Sequence, residues 1–166
     1  MRRWTVRHWL WFAGVVAVVA VAAGFFFYTT VQRPLWDQER LAARTAVRET
    51  PMVLVERTAL SHGEQAFVIV FGTDGEAKPL IAWVGEEGVV HYAYTEEATT
   101  EDEIAARWRA AHPEARLIRI VPGVLRGMYV WEVYYDQKEE GGSRKYYDYY
   151  RFEDGELLTT YTLTLR

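Results

Sequence analysis

The sequence predicts an α+β protein in which an N-terminal transmembrane helix is followed by two tandem small modules, each made of a helix and an antiparallel sheet. An uncharged apolar run, WLWFAGVVAVVAVAAGFFFY, fills residues 9–28, and the rest of the chain shows the order helix then strands twice. The halves are related by a constant offset, since Pro51 and Pro113 lie 62 residues apart, as do Asp74 and Asp136. An internal duplication explains this spacing.

The apolar run is long enough to cross a bilayer, because 20 helical residues at about 1.5 Å each span the roughly 30 Å hydrocarbon core. The basic residues Arg2, Arg3 and Arg7 precede it, which predicts that residues 1–8 are a cytoplasmic tail. A cleaved signal peptide is the alternative, since residues 20–22 read Ala-Val-Ala. We expect a single-pass cell-membrane protein with an extracytoplasmic C-terminal ectodomain.

The composition excludes several classes of function. The chain has no cysteine, so disulfides, thiolate metal sites and a cysteine nucleophile are absent. Beyond the predicted tail, 16 basic residues stand against 23 acidic ones, which makes the ectodomain acidic. An acidic surface repels nucleic acid and anionic polymers, so we expect no nucleic-acid partner.

The first predicted module covers residues 29–97 and begins with a linker helix. The segment from Pro34 to residue 49 is rich in helix formers and ends before Pro51. Runs rich in Val, Ile, Phe and Trp follow, separated by Ser-His-Gly and Thr-Asp-Gly turns. They predict a meander of strands at residues 51–60, 64–73, 78–85 and 88–94.

The second predicted module covers residues 98–166 and begins with a helix. Thr100 and Glu103 form a capping-box pattern, and the helix is predicted to end at His112, before Pro113. A polar loop, Gln137–Ser143, joins the middle two strands. The strands are predicted at residues 115–121, 127–136, 144–152 and 156–164.

The sequence marks no catalytic, metal-binding or cofactor-binding residues. The histidines have no partners at motif spacing, and His112 at a helix end is expected to contact terminal carbonyls. The acidic run at residues 96–103 lacks the alternating ligands and glycine of a calcium loop. We therefore predict a protein that is not an enzyme; a hydrolase would need an active site that the sequence does not mark.

Aromatic residues are concentrated in the second module. Alternation along the strand at 127–136 predicts that one face, with Trp131 and Tyr135, meets the helix carrying Ile104 and Trp108. The opposite face is expected to be exposed; it carries Val130, Glu132, Tyr134 and Asp136. For the strand at 145–152, alternation does not decide which face is inward.

Three tyrosines are the candidate partner-binding residues: Tyr134, Tyr147 and Tyr149. Exposed tyrosine rings form a platform for a protein partner or a glycan, because they offer a large contact area at a small entropic cost. Ordinary cross-strand packing is the alternative.

Four stretches carry a resemblance to a known family: AWVGEEG in the first module, and TTEDEIAA, GVLRGMYVWEVYY and YYRFEDGELL in the second. Their order resembles the TseB-like (YpmB) family of cell-wall elongation regulators from Gram-positive bacteria, with PepSY- and cystatin-like tandem modules. The resemblance implies a non-enzymatic, membrane-tethered regulator of peptidoglycan elongation that binds a class B penicillin-binding transpeptidase. It also leaves an alternative, a PepSY-type module that restrains an extracytoplasmic protease or senses a wall ligand.

The chain departs from the PepSY pattern at one position. PepSY-like strands commonly carry an aspartate four residues before the turn glycine, whereas Arg151 stands at that distance before Gly155. Any role of that aspartate is therefore not transferred to this chain.

Overall fold

The computed structural model describes residues 6–63, 65–139 and 142–163. The chain divides into two compact units, residues 1–38 and residues 39–166. The described elements, in chain order, are α1 (Val6–Glu49), β1 (Met52–His62), β2 (Ala66–Asp74), β3 (Pro79–Gly85), β4 (Gly88–Tyr94), a 3-10 turn (Thr95–Glu97), α2 (Glu101–Ala111), β5 (Arg116–Leu125), β6 (Met128–Glu139), β7 (Gly142–Arg151) and β8 (Leu157–Leu163).

The predicted start of a separate linker helix at Pro34 is wrong, because α1 continues through this position. Proline removes one backbone hydrogen bond from a helix interior, but the residues that follow Pro34 are rich in the helix formers Leu, Ala, Glu and Arg, and the helix continues past it. Among the residues that the structure describes, no helix combines the length and the apolar character needed to cross a membrane. Several side chains of the predicted span 9–28, as well as Arg2 and Arg3, lie outside the described residues, and the anchor stays a prediction.

The α+β class with antiparallel sheets is confirmed. The first sheet has the strand order β1-β2-β3-β4 and the second β5-β6-β7-β8, so each is a meander of consecutive strands. The sheets fall on either side of the predicted module boundary at residues 97 and 98, although the boundary itself stays a prediction.

The predicted loop Gln137–Ser143 is largely strand. Pairing between β6 and β7 continues to Glu139 opposite Gly142. Polar cross-strand contacts support this extension: Arg144 forms a 3.1 Å ion pair with Glu139, and the Ser143 hydroxyl donates to Asp136. Polar composition alone predicted a loop, but these side chains stabilise a hairpin instead.

The first sheet is covered on one face by the last turns of α1. Ala42 and Ala46 are buried there, and their small side chains let the helix approach Val70 and Leu80 closely. The other face of this sheet joins α2 and the second sheet in one core, in which Trp83, Trp108 and Trp131 are 0–1% exposed. Burying each large side chain contributes roughly 2–3 kcal/mol.

Helix α2 begins and packs as the sequence predicts. The Thr100 hydroxyl accepts from the Glu103 amide at 3.3 Å, and the Glu103 carboxylate accepts from the Thr100 amide at 2.9 Å. The second bond lowers the pKa of Glu103. Ile104 and Trp108 are buried, and the Trp108 ring lies 5.2 Å from that of Tyr135, which confirms the predicted contact between this helix and the second sheet.

Gly72 provides a test of the close packing between β1 and β2. A Cβ at this position would overlap the Leu54 carbonyl oxygen and lie 2.8 Å from the Met52 sulfur. We expect Gly72→Ala to lower the free energy of unfolding by about 1–3 kcal/mol, because backbone must move. Gly75→Ala is the matched control, since its Cβ would meet Val53 at an ordinary 3.9 Å. Urea denaturation of the full chain in detergent measures both; equal midpoints would contradict the prediction.

Candidate interaction surface

The outer face of the second sheet, opposite α2, carries a row of aromatic side chains across three strands. The pairing register places Tyr134 on β6 opposite Tyr147 on β7, and Tyr147 opposite Tyr161 on β8. Tyr149 lies two residues along β7 and therefore on the same face. We call Tyr134, Tyr147, Tyr149 and Tyr161 the tyrosine row.

The rings of the tyrosine row pack against one another. The centroids of Tyr134 and Tyr147 are 4.5 Å apart with planes 18° apart, and those of Tyr147 and Tyr149 are 6.3 Å and 20° apart. Tyr161 meets Tyr149 edge-on at 5.6 Å. Exposure increases from Tyr149, which is 8% exposed, through half-buried Tyr134 and Tyr147, to Tyr161 at 40%. The stacked rings cover part of each other's faces, which leaves edges and hydroxyl groups available to a partner.

Charged side chains surround this row. Glu132 is buried on the same face and forms a 2.8 Å ion pair with Arg119, while the Tyr149 hydroxyl donates to it at 3.3 Å. The Lys145 ammonium lies 5.7 Å from the Tyr134 ring centroid. Arg126 donates to the Tyr161 hydroxyl at 3.1 Å. Because Glu132 is already paired, the accessible charge beside the row includes the cation of Lys145.

Burial affects the acidity of the row. Burial, followed by the charge of Glu132 and the hydrogen bond to it, raises the pKa of Tyr149 well above its ordinary value of 10.0. Burial also raises the pKa of Tyr147. Both hydroxyls therefore stay protonated at neutral pH and can donate hydrogen bonds.

The structure brings together the three tyrosines that the sequence singled out, although their binding role stays a prediction. The expectation that their whole face is exposed is wrong: Val130 is 0% and Glu132 2% exposed. Leu125 and Tyr149 pack over Val130. The β1–β2 turn lies close to Glu132, since a Cβ added at Gly63 would be 4.0 Å from the Glu132 carboxylate.

The sequence reasoning missed the other residues of this surface: Arg119, Arg126 and Tyr161. Tyr161 lies fourteen positions after Tyr147, and only the hairpin register reveals that the two are neighbours. Counting cross-strand partners outward from the β7–β8 turn would place Thr160 opposite Tyr147, because the register shift between Tyr149 and Tyr150 is not visible in the sequence. No local pattern marks the two arginines, which reach the row from β5 and the β5–β6 turn.

A second polar cluster lies on the inner face of the same sheet, around the fully buried Asp148. The Thr160 hydroxyl donates to its Oδ1 at 2.6 Å, and the Tyr135 hydroxyl donates to the same oxygen at 3.3 Å. Burial and the interaction with Asp148 raise the pKa of Tyr150 to about 12. Among the described residues Asp148 Oδ2 has no hydrogen-bond partner. This carboxylate is therefore held mainly by neutral hydroxyl donors.

His112 joins this cluster at the end of α2. Its Nδ1 lies 3.2 Å from the Trp108 carbonyl, which agrees with the predicted contact to terminal carbonyls. Its Nε2 lies 3.3 Å from the Tyr135 hydroxyl and 3.8 Å from Asp148 Oδ2. No sequence pattern predicts the last two contacts, because Asp148 lies 36 positions away on a strand whose orientation alternation does not decide. The cluster links α2 to β6 and β7.

Other side chains considered from the sequence have local contacts. Arg151 forms ion pairs of 2.6 Å with Asp154 and 2.7 Å with Glu156, so it stabilises the β7–β8 turn. Glu101 in the acidic run pairs with Arg57. Within the described ranges, no three His, Cys, Asp or Glu side chains are grouped so that they could hold a metal ion. The predicted absence of a metal site, a cofactor and catalytic residues stays a prediction.

The fold defined by these elements resembles a solved structure. No protein-family model matches the chain, and no curated protein matches it. The chain is similar to the YpmB protein from Bacillus subtilis, with a TM-score of 0.64 and 23% sequence identity, over 75% of this chain and 96% of that chain. The likeness supports, at the level of the fold, the YpmB-like relationship that the sequence predicted.

The bond from Thr160 to Asp148 can be tested directly. We expect Thr160→Val to lower the free energy of unfolding by about 1–3 kcal/mol, because a buried carboxylate oxygen loses its shortest hydrogen bond. Thr162→Val is the control, since Thr162 lies on the same face of β8 and has no such bond among the described residues. Urea denaturation compares the two variants with the wild type. A Thr160→Val effect no larger than that of Thr162→Val would contradict this account of the cluster.

We expect His91 to make the stability of the fold depend on pH. It stacks on Tyr129 with centroids 3.9 Å apart, and burial lowers its pKa below the ordinary 6.5. The unfolded state therefore binds the proton at higher pH than the folded state, so stability is full above the unfolded pKa and falls as pH drops below it.

The expected result is that the wild type loses stability relative to His91→Phe between about pH 7 and pH 5. Phenylalanine keeps the stack on Tyr129 and cannot bind a proton. Thermal unfolding at both pH values measures the difference between the two proteins. If that difference does not change with pH, His91 does not contribute in this way.

Proposed function

We propose that this protein is a membrane-anchored, non-enzymatic regulator or scaffold of peptidoglycan elongation, whose extracytoplasmic part binds a class B penicillin-binding transpeptidase. The observation that carries the proposal is the tyrosine row, an ordered and partly exposed aromatic surface on the outer face of the second sheet. The fold likeness to the YpmB protein and the sequence resemblance described above support the biological setting.

The geometry of the row favours a protein partner over a glycan. Sugars bind aromatic side chains through exposed ring faces, whereas Tyr134 and Tyr147 stack on each other at 18° and cover one face of each ring. Hydroxyl groups and ring edges suit a protein surface, where tyrosine combines apolar contact with a hydrogen bond. Lys145 adds a cation beside the row, so an acidic group on the partner would be complementary.

The predicted anchor restricts where such a partner can lie. It ends at residue 28, and the first strand begins at Met52, so residues 29–51 are the whole connection between the predicted membrane span and the first sheet. A partner that binds the ectodomain is therefore expected to be near the membrane. A transpeptidase of the elongation machinery meets this requirement, since it too acts beside the membrane.

Co-purification tests the proposal. The full chain is expected to enrich a class B penicillin-binding protein from solubilised membranes of its host, and replacement of its predicted anchor by an unrelated single span serves as control for nonspecific membrane capture. We expect Tyr134→Ala together with Tyr147→Ala to weaken binding by about tenfold or more, because aromatic residues at the centre of an interface carry much of its energy.

Tyr92→Ala is the matched control, because Tyr92 is 41% exposed on the first sheet, away from the row. It should leave the enrichment unchanged, and circular dichroism should show that all variants are folded. Equal enrichment by the wild type and the double variant would remove the tyrosine row from the proposal. Consistent absence of any penicillin-binding protein, with inhibition of extracytoplasmic proteolysis by the purified chain, would favour the PepSY-type alternative.

A further inference from the structure

The outer face of the second sheet changes its chemical character from one end to the other. Lys138 lies four residues after Tyr134 on β6. Lys145 lies two residues before Tyr147 on β7. Even spacing along a strand places side chains on one face, so both lysines share the face of the tyrosine row, at the end that leads into the β6–β7 hairpin. At the opposite end Val130 is buried in an apolar cluster. The row therefore lies between a cationic end and a closed apolar end.

The described carboxylates at the cationic end are already paired within the protein. Asp136 accepts hydrogen bonds from the Ser143 hydroxyl and, at 3.1 Å, from the Arg116 guanidinium. These two bonds lower the pKa of Asp136, so it is ionised at neutral pH. Glu139 lies on the opposite face by alternation and forms a 3.1 Å ion pair with Arg144. Arginines therefore balance both carboxylates.

The two lysines are available to a partner. Both are exposed, and among the described residues neither forms an ion pair with a carboxylate. Lys145 adjoins the tyrosine row directly. On the described part of this end of the face, Arg116, Lys138 and Lys145 accompany the single carboxylate of Asp136. Glu140 at the hairpin tip lies outside the described residues. The described groups at this end therefore carry an excess of positive charge.

This excess contrasts with the chain as a whole, which has a net charge of −4. Glu96, Glu97 and Asp102, for example, are exposed around the start of α2. Such surfaces repel an acidic partner, whereas the lysine end of the outer face attracts it, and complementary charges guide the encounter and fix its orientation. Apolar contact alone would not select a direction along the row.

We propose that this face binds an acidic segment of the protein partner in one orientation, with carboxylates of the segment at Lys138 and Lys145 and its apolar side chains on the tyrosine row. The inference rests on the proposed function for the identity of the partner. Tyr149 lies four residues from Lys145, or roughly 13 Å at about 3.3 Å per residue. An extended segment would therefore separate its carboxylates from its farthest apolar side chain by about four residues. A polyanion without apolar groups would leave the row unused.

Synthetic peptides test this preference without assuming the partner. One labelled peptide carries a pair of glutamates followed about four residues later by a pair of phenylalanines, and a second carries lysines in place of the glutamates. The acidic peptide should bind the full chain in detergent about tenfold more tightly, because attractive charge contacts replace repulsive ones. Fluorescence anisotropy measures both affinities. The preference should shrink between about 0.1 M and about 1 M salt, where the screening length falls from about 10 Å to about 3 Å. Equal binding of the two peptides, or tighter binding of polyphosphate than of the acidic peptide, would overturn the inference.

Charge reversal locates the binding site of the acidic peptide. Lys138→Glu together with Lys145→Glu should weaken its binding about tenfold. The matched control is Arg40→Glu together with Arg44→Glu, because both arginines are exposed on α1 and the net charge changes by the same amount. The control should bind like the wild type, and circular dichroism should show that both variants are folded. An equal loss in the two variants would assign the attraction to net charge rather than to the lysine end, and would contradict the proposal.

The same variants separate this inference from the proposed function. If Tyr134→Ala with Tyr147→Ala loses the transpeptidase but the lysine variant retains it, the tyrosine row binds the partner and the proposed acidic orientation is wrong. If the lysine variant loses the acidic peptide while the wild type enriches no penicillin-binding protein, the preference for an acidic segment stands and the transpeptidase proposal fails.

Discussion

The register between β6 and β7 is the constraint on which the rest of the second sheet depends. It pairs Tyr134 with Tyr147 on the outer face and Tyr135 with Tyr146 on the inner face, and both pairs are stacked. A slip of one residue would send every side chain of one strand to the opposite face. Asp148 would leave its hydroxyl donors, so the slip would cost polar as well as aromatic contacts.

Among the described residues each face of this sheet buries one carboxylate, and the two are stabilised differently. Glu132 on the outer face has the guanidinium of Arg119 at 2.8 Å. Asp148 on the inner face relies on the hydroxyls of Thr160 and Tyr135, with His112 at 3.8 Å as its nearest basic group. A buried charge needs hydrogen bonds or a counter-ion, and here neighbouring strands supply them: Arg119 from β5, Tyr135 from β6 and Thr160 from β8.

Much of the fold could be predicted from local patterns, because local physics determines those parts. The capping box at Thr100 and the two-residue alternation through Trp131 specify α2 and its contact with the sheet. The orientation of β7 could not be predicted, since tyrosines on both faces give no contrast between apolar and polar sides. The break expected at Pro34 and the loop expected after residue 136 were wrong because neighbouring helix formers and cross-strand ion pairs outweighed local composition.

Only part of the candidate surface could be predicted from the sequence, because the rest depends on the register between strands. Tyr134, Tyr147 and Tyr149 stand out by their density, whereas Tyr161 and Arg119 become neighbours only through two hairpin registers. Long-range register depends on the whole pattern of pairing rather than on any short segment.

The single core shared by both sheets has a consequence for cooperativity. Trp83 of the first sheet packs edge-on against Phe152 at 4.9 Å, and Phe152 stacks on Trp131 of the second sheet at 5.5 Å. Neither half of residues 39–166 can open alone without exposing these rings, so the shared aromatic contacts raise the free energy of partial unfolding. Residues 39–166 are therefore expected to unfold as one cooperative unit, in which destabilising either sheet also destabilises the other.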